Sequence, residues 1–451
     1  YLNCSLVSVG ARLKLMGHTV TLLDFNIDRY GDPAIQETLR QSDVVGFSLL
    51  GAPYIPAAIE LSRKIQNDFP GKVIAYGGQT IENISRSAFG KLFGNSKNIK
   101  QIVGDIDIAE LVDAPIYSLP NPLSVSFVPV WEEIDPSHLR KFMRHEMTLE
   151  VSRGCIFECE HCAARKAQKE QFRDAKIFEQ DLRFLAQRAK TLGITELQFY
   201  ASSLDFFQTP SRVGEILCIL ARVQEEEGMR IKARCLSCMA TFLHTRQVIE
   251  NWIAQGRETY RGFQNFSDLL RRAGLWCIGF GVDGADESVW ERLNKRHNKS
   301  SDVPKCIKIC REMGIRTEIL MVMGFPRDEK HTLWKTVMNS LRYAASSPLV
   351  TLRPYHAKMF VPGNEGWDEE IEEIMVENPQ LFYNIDFCAL GSELTDLDRL
   401  HRWIGNLAYL ATIIILTPFG KCNAVPLLPQ GERGIYGMIA KIFNRIMPSD
   451  R

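Results

Sequence analysis

The sequence predicts an α/β chain in three parts. A Rossmann-like, doubly wound parallel sheet comes first, then a partial (β/α)6 barrel, then a helical C-terminal region. Three observations predict it. Short apolar runs alternate with amphipathic stretches over residues 1–112. A proline-punctuated segment, 113–145, interrupts them. From 146 to 367 the alternation resumes for six strand–helix units, and 368–451 reads as helical. Strands and helices in strict alternation mean parallel sheets covered by helices.

In the first part, residues 5–16 form an amphipathic helix closed by Gly17. The run 18–24 reads as a buried strand ending at Asp24. A helix starts at 35–40, a strand follows at 43–48, a helix at 56–68 and a strand at 72–78. Ligands of such sheets lie at the carboxyl ends of the strands. The loops there follow Asp24, include Ser48 and Leu50, and include Gly77 and Gly78. The strand expected before the first helix is missing. The chain opens on Tyr1 rather than Met, so an upstream start is expected.

Segment 113–145 carries Pro115, Pro120, Pro122 and Pro129 and reads as a linker. Strands of the second part are expected at 147–151, 196–200, 231–236, 278–282, 317–323 and 350–354. Helices are expected at 179–192, 212–226, 264–273, 287–293 and 303–313. Active sites of βα barrels sit past the C-terminal strand ends, which brings forward Ser202, Ser203, Asp205, Arg234, Asp283 and Gly324. Near the C-terminus, 407–416 is too short to span a bilayer and reads as a buried helix. The run 435–447 is amphipathic and basic, suited to docking on the barrel or on a membrane surface.

The chain has 451 residues, 45% hydrophobic and 24% charged, with a formal net charge of zero. This is a soluble, globular balance with no general nucleic-acid surface. Twelve cysteines without a secretory signal favour a reducing, cytoplasmic setting over a disulfide scaffold.

Three of those cysteines carry the chemistry. Cys155-Ile-Phe-Glu-Cys159-Glu-His161-Cys162 has C-x3-C-x2-C spacing, directly after the first barrel strand. Three thiolates can hold three irons of a cubane and leave the fourth iron open, whereas a fully protein-ligated cluster uses four cysteines. A zinc site completed from elsewhere and simple thiol packing are the competing readings. Cys235 and Cys238 form a further pair without evident partner ligands, and Cys306 and Cys310 lie one helical turn apart; both pairs are expected to pack in the core. His297 is a lone histidine near the barrel rim.

The cysteine motif resembles that of the radical S-adenosylmethionine (SAM) enzymes. The segments Gly17-His18 to Asp24, Val45-Gly-Phe-Ser48-Leu-Leu50 and Gly77-Gly78 resemble the cobalamin-binding domain that precedes many of them. The resemblance extends to Gly281-Val-Asp283, Leu293-Asn-Lys295, Met323-Gly324-Phe-Pro326 and Pro362-Gly363. It implies a [4Fe–4S] cluster on Cys155, Cys159 and Cys162, with SAM on the open iron. His161, Ser202, Ser203, Asp205, Arg234, Asp283 and Gly324 would contact SAM; Arg234 would pair its carboxylate. Asp24, Ser48, Leu50, Gly77 and Gly78 would line cobalamin. His161 stands where an aromatic residue is common, Asp283 replaces a glutamate, and the cobalt-ligating Asp-x-His-x-x-Gly motif is absent.

The implied activity is cleavage of SAM to a 5′-deoxyadenosyl radical and methylation of an unactivated carbon by way of cobalamin. Rearrangement, cyclisation or coupling without methyl transfer is the alternative. A non-catalytic Fe–S or zinc protein is a third reading. Expected partners are a small-molecule or natural-product substrate, with a lipid-like one favoured if the C-terminal segment meets a membrane, and a flavodoxin or ferredoxin as electron donor. No transmembrane segment is expected.

Overall fold

The structure is a computed structural model that describes residues 3–25, 28–162, 169–323, 325, 330–356, 361–364, 367–382 and 411–422. The N-terminal sheet has three parallel strands, β1 (Val44–Ser48), β2 (Val73–Gly77) and β3 (Ile99–Gln101), hydrogen-bonded in that order. The helix Ile55–Asp68 connects β1 to β2 and buries Ile55, Ile59 and Ile65, one apolar stripe at helical spacing. Ile74, Tyr76, Phe89 and Leu92 complete this core. Ile371, Met375, Val376 and Phe382, from or just beyond the helix Glu369–Glu377, close it from the far end of the chain.

The run 18–24 is a correction. It has no regular structure and pairs with no strand among the described residues. Gly10, in the helix Cys4–Leu15, explains it: a Cβ there would lie 3.2 Å from Val20 and 3.9 Å from Leu22. The run lies on that helix instead of the sheet. Leu22 joins the barrel core and Leu23 the small-sheet core, so its apolar residues connect two cores.

The second sheet has six parallel strands. They are β4 (Met147–Glu150), β7 (Glu196–Ser202), β8 (Arg230–Ser237), β9 (Leu275–Gly281), β10 (Arg316–Met323) and β11 (Val350–His356), in spatial order β4-β7-β8-β9-β10-β11. A two-stranded antiparallel pair, β5 (Ser152–Arg153) and β6 (Gln171–Phe172), brackets the cysteine loop. Alternation sorts the side chains. Leu197, Phe199, Ala201, Ile231, Ala233 and Cys235 are buried in the apolar core. Thr148, Tyr200, Arg234 and Cys277 are register partners across four strands and share the other face. Helices are set by local caps. Asp174 accepts from Lys176 and Ile177 N–H at the start of Ala175–Thr191, and Gly228, at φ +58°, ends Pro210–Glu227.

The 113–145 segment is not a bare linker. It contains the helix Pro136–His145, and Leu139, Phe142, Phe127 and Trp131 are buried in the barrel core. Of 407–416, residues 411–416 are described and helical; Ile413 and Leu416 are buried, Ile414 and Ile415 exposed. Cys422 then forms a single parallel bridge with Leu352 of β11. Residues 435–447 lie outside the described residues. No helix among the described residues is long and apolar enough to cross a membrane.

Candidate active site

All six strands of the large sheet are parallel, so their C-terminal ends share one rim, and the cysteine loop leaves β4 there. Cys159 is buried; Cys155 and Cys162 are half-buried. The loop is held by its own backbone and by two neighbouring segments. Cys162 N–H donates to the Cys159 carbonyl at 3.0 Å, and Phe157 N–H points at Cys155 Sγ at 3.5 Å. Ile156 N–H donates to Gln208 Oε1 at 2.8 Å. On the other side, Glu160 N–H donates to the Leu293 carbonyl at 3.1 Å and Asn294 Nδ2 to the Glu158 carbonyl at 3.1 Å. Burial raises the Cys155 thiol and pushes Cys159 up to about 11, the latter opposed by Lys295. No three His, Cys, Asp or Glu side chains among the described residues are gathered as they would be around one metal ion. A cubane asks for something different, three thiols each facing its own iron.

Asp205 lies just past β7 and is fully buried. Its Oδ1 accepts from Ser237 Oγ at 2.7 Å, Thr241 Oγ1 at 3.0 Å and Cys238 N–H at 3.1 Å. Its Oδ2 is buried without a partner among the described residues. Burial raises its carboxyl pKa, against those donors, and the nearby Cys155 thiol feels its charge. Gln208 Nε2 and His161 Nδ1 are likewise buried without partners among the described residues. A buried polar group without a partner costs free energy unless a ligand or water meets it. Three such atoms beside the cysteine loop fit a polar ligand such as the amino-acid end of SAM.

The other expected SAM residues are placed differently. Ser203 Oγ is 2.8 Å from Ser152 Oγ, which in turn donates to Glu170 at 2.9 Å. That hydroxyl closes the strand ends onto the β5–β6 pair. Ser202 ends β7, and its carbonyl accepts from Val151 N–H at 2.9 Å. Arg234 has carboxylate partners within the chain. Its guanidinium makes a forked pair with Glu146, at 2.9 and 2.7 Å, and reaches Glu318 at 3.4 Å. Its fork is turned to Glu146 inside the barrel. Asp283 does not project freely toward a ribose either: it pairs with Lys295 and lies 3.5 Å from His161 Nε2. Burial alone would raise its pKa; Lys295 and His161 hold it well below the usual carboxylate range. Gly324 lies outside the described residues. Cys235 is a core thiol, while Cys238 lies 3.6 Å from His297 Nε2. His297 stacks on Phe157 of the cysteine loop at 3.8 Å, and burial, with Lys295, lowers its pKa to about 4.

Sequence reasoning missed Gln208, Glu170 and His297 as neighbours of the loop. Gln208 was within reach: it follows Asp205 by three residues, on the same strand-end turn.

The small sheet presents a different surface. Phe25, Leu50, Tyr54, Val103 and Ile106 are all exposed, and all lie on the segment after Asp24 or on the loops and first helical turns following β1 and β3. Ser48 Oγ accepts from Asn3 Nδ2 at 3.2 Å, and Asp24 N–H donates to Asp28. Leu49 N–H donates to the Gly77 carbonyl at 2.8 Å, so the two expected corrin loops interlock. Gly78 has φ +98°, and a Cβ there would lie 2.9 Å from the Leu49 carbonyl oxygen. A side chain is excluded by the neighbouring backbone itself. Beyond Gly78, Glu82 feels the charge of Arg153, next to the cysteine loop. A Cβ on Gly363, past β11, would lie 2.9 Å from Asn83. The two strand-end faces are thus neighbours. Exposed apolar side chains around interlocked strand ends fit a large, flat, mostly apolar ligand such as a corrin.

Comparison with solved structures gives the same architecture. The radical SAM methyltransferase TsrM from Kitasatospora setae, solved with cobalamin and a [4Fe-4S] cluster, superposes with a TM-score of 0.58 at 15% identity, over 82% of this chain and 75% of that one. The chain has the fold of the cobalamin-dependent radical SAM enzymes. OxsB, a radical enzyme of this class solved with aqua-cobalamin and SAM, has a TM-score of 0.55 at 16% identity, over 96% of this chain and 61% of OxsB. Among curated proteins, the hopanoid C-3 methylase of Methylococcus capsulatus is 21% identical over 412 residues, 86% of this chain and 72% of the methylase. No protein-family model matches the chain. In this radical SAM fold the cysteine loop occupies the barrel rim, and the small parallel sheet is the Rossmann-like partner layer.

Proposed function

We propose that the protein is a cobalamin-dependent radical SAM methyltransferase that methylates an unactivated carbon. The observation that carries this is a loop with three cysteines at one rim of a six-stranded parallel barrel, beside a buried carboxylate oxygen, Asp205 Oδ2, that has no partner among the described residues. When bound, the cluster, SAM and cobalamin supply the hydrogen-abstracting radical and the methyl group.

The residues do the rest. Cys155, Cys159 and Cys162 hold three irons. Asp205 Oδ2 accepts from the SAM ammonium, held in place by Ser237, Thr241 and the Cys238 N–H. Gln208 ties this contact to the cysteine loop through Ile156. His161, braced by Asp283, borders SAM across the loop. Ser48, Leu50, Gly77 and Gly78 border the corrin together with Phe25, Tyr54, Val103 and Ile106, which cover its apolar faces and exclude water.

The substrate class favoured is lipid-like. The similarity to a hopanoid methylase supports it, as do the exposed Ile414, Ile415 and Phe419, which suit a position at a membrane surface. A flavodoxin or ferredoxin is the electron donor. The test is anaerobic turnover with methyl-labelled SAM and a lipid extract. Labelled lipid together with 5′-deoxyadenosine is the expected result. Deoxyadenosine with an unlabelled, rearranged product would replace methyl transfer with the rearrangement reading.

A further inference from the structure

The turn 293–295 touches the cysteine loop through two of its residues and reaches it through Asp283 from the third. Leu293 accepts from Glu160 N–H, Asn294 Nδ2 donates to the Glu158 carbonyl, and Lys295 reaches His161 through Asp283. The backbone here is strained to fit. Asp283, Ala285 and Asn294 adopt φ of +37°, +43° and +52°, a conformation that costs free energy and persists only where surroundings enforce it. Lys295 is buried, and its N–H is anchored on the Trp290 carbonyl at 2.7 Å. A buried lysine with one carboxylate partner is a poor stabilising device, so its position invites a functional account.

We propose that Lys295 sets the reduction potential of the cluster held by Cys155, Cys159 and Cys162, from a turn that clamps the cysteine loop. The inference rests on the cluster reading above. An Fe–S potential responds to local charge, hydrogen bonds and solvent exposure. An ammonium in a low-dielectric site stabilises the added electron. The ammonium is buried on Asp283, at the base of the turn whose Leu293 and Asn294 hold Glu160 and Glu158 of the cysteine loop. The other titratable neighbours are His161 and His297, and His297 is neutral at pH 7. Lys295 is a positioning residue, since it acts through the thiolates.

The test is an EPR-monitored redox titration of the full chain, reconstituted anaerobically with iron and sulfide, with iron and sulfide content measured in parallel. Lys295→Met is expected to keep its iron and shift the midpoint to a more negative potential, by about the 59 mV that corresponds to a tenfold change in a one-electron ratio. Lys295→Arg, which keeps the charge, is expected to restore it. If Lys295→Met does not retain iron, Asp283→Asn reads the same field with the opposite sign: a more positive potential is expected, and an unchanged one overturns the inference. A fully loaded Lys295→Met with an unchanged potential also overturns it. Absence of any cluster in the unmodified chain would overturn the cluster reading itself and this inference with it.

Discussion

The barrel rim and the edge of the small sheet face neighbouring space but are built from opposite materials. At the rim, thiols, carboxylates, a buried ammonium and two imidazoles lie together, and Asp205 Oδ2, Gln208 Nε2 and His161 Nδ1 are buried without partners among the described residues. At the small sheet, large apolar side chains are exposed, and the constraint lies in the backbone, where Gly78 and Leu49 meet. The first region recognises by charge and hydrogen bonds, the second by shape and apolar area. Substitutions should therefore fail differently in the two.

The largest effect is expected at the rim. Cys159→Ala removes one of three thiolates and should abolish both the broad Fe–S absorbance and 5′-deoxyadenosine release, while added cobalamin is still retained. Loss of cobalamin as well would break the separation between the regions. Asp205→Asn comes next. Losing a charge-assisted hydrogen bond, worth about 1.5–3 kcal/mol, should raise the SAM concentration for half-maximal cleavage roughly tenfold to hundredfold, with iron content unchanged.

At the small sheet, Gly78→Ala places a methyl against the Leu49 carbonyl in an unfavourable φ, a cost of about 1–3 kcal/mol. Its expected signature is reduced corrin retention after desalting with cluster content intact. The smallest effect is a pH dependence. In the fold His297 stays neutral down to about pH 4, whereas its ordinary value is 6.5. The unfolded chain takes up that proton first, so the contribution is fully present above pH 6.5 and is lost as pH falls towards 4. Thermal melts of the iron-free chain across that window should show the loss, and His297→Phe should flatten it.

Much of the large sheet was legible in the sequence. Its strands are short apolar runs bounded by turn signals, and each expected strand lies within two or three residues of the one found. The run 18–24 has the same apolar look but pairs with no strand among the described residues; Val20 and Leu22 are taken up by the helix surface at Gly10. Periodicity cannot tell a sheet partner from a helix partner. The prolines of 113–145 concealed Trp131 and Phe142, whose burial depends on a barrel wall far away in sequence. The helix Met239–Ala254 was not foreseen; its β-branched and aromatic residues blur the apolar stripe.

In the site, the cysteine spacing was a local signal and stood out. The roles of Arg234 and Asp283 were not legible, because their partners are distant. Glu146 is 88 residues from Arg234 in sequence, and Lys295 meets Asp283 only after a left-handed turn and a short helix. Lys295 was legible only as part of the Leu293-Asn-Lys295 resemblance; its burial against Asp283 was not.

The most direct test of the central claim is a single anaerobic preparation. The full chain is reconstituted with iron and sulfide, given hydroxocobalamin, desalted, scanned in the visible, and then reduced in the presence of labelled SAM. Corrin bands over a broad Fe–S absorbance, followed by 5′-deoxyadenosine, is the expected result. A protein that holds neither iron nor corrin and leaves SAM intact would contradict it.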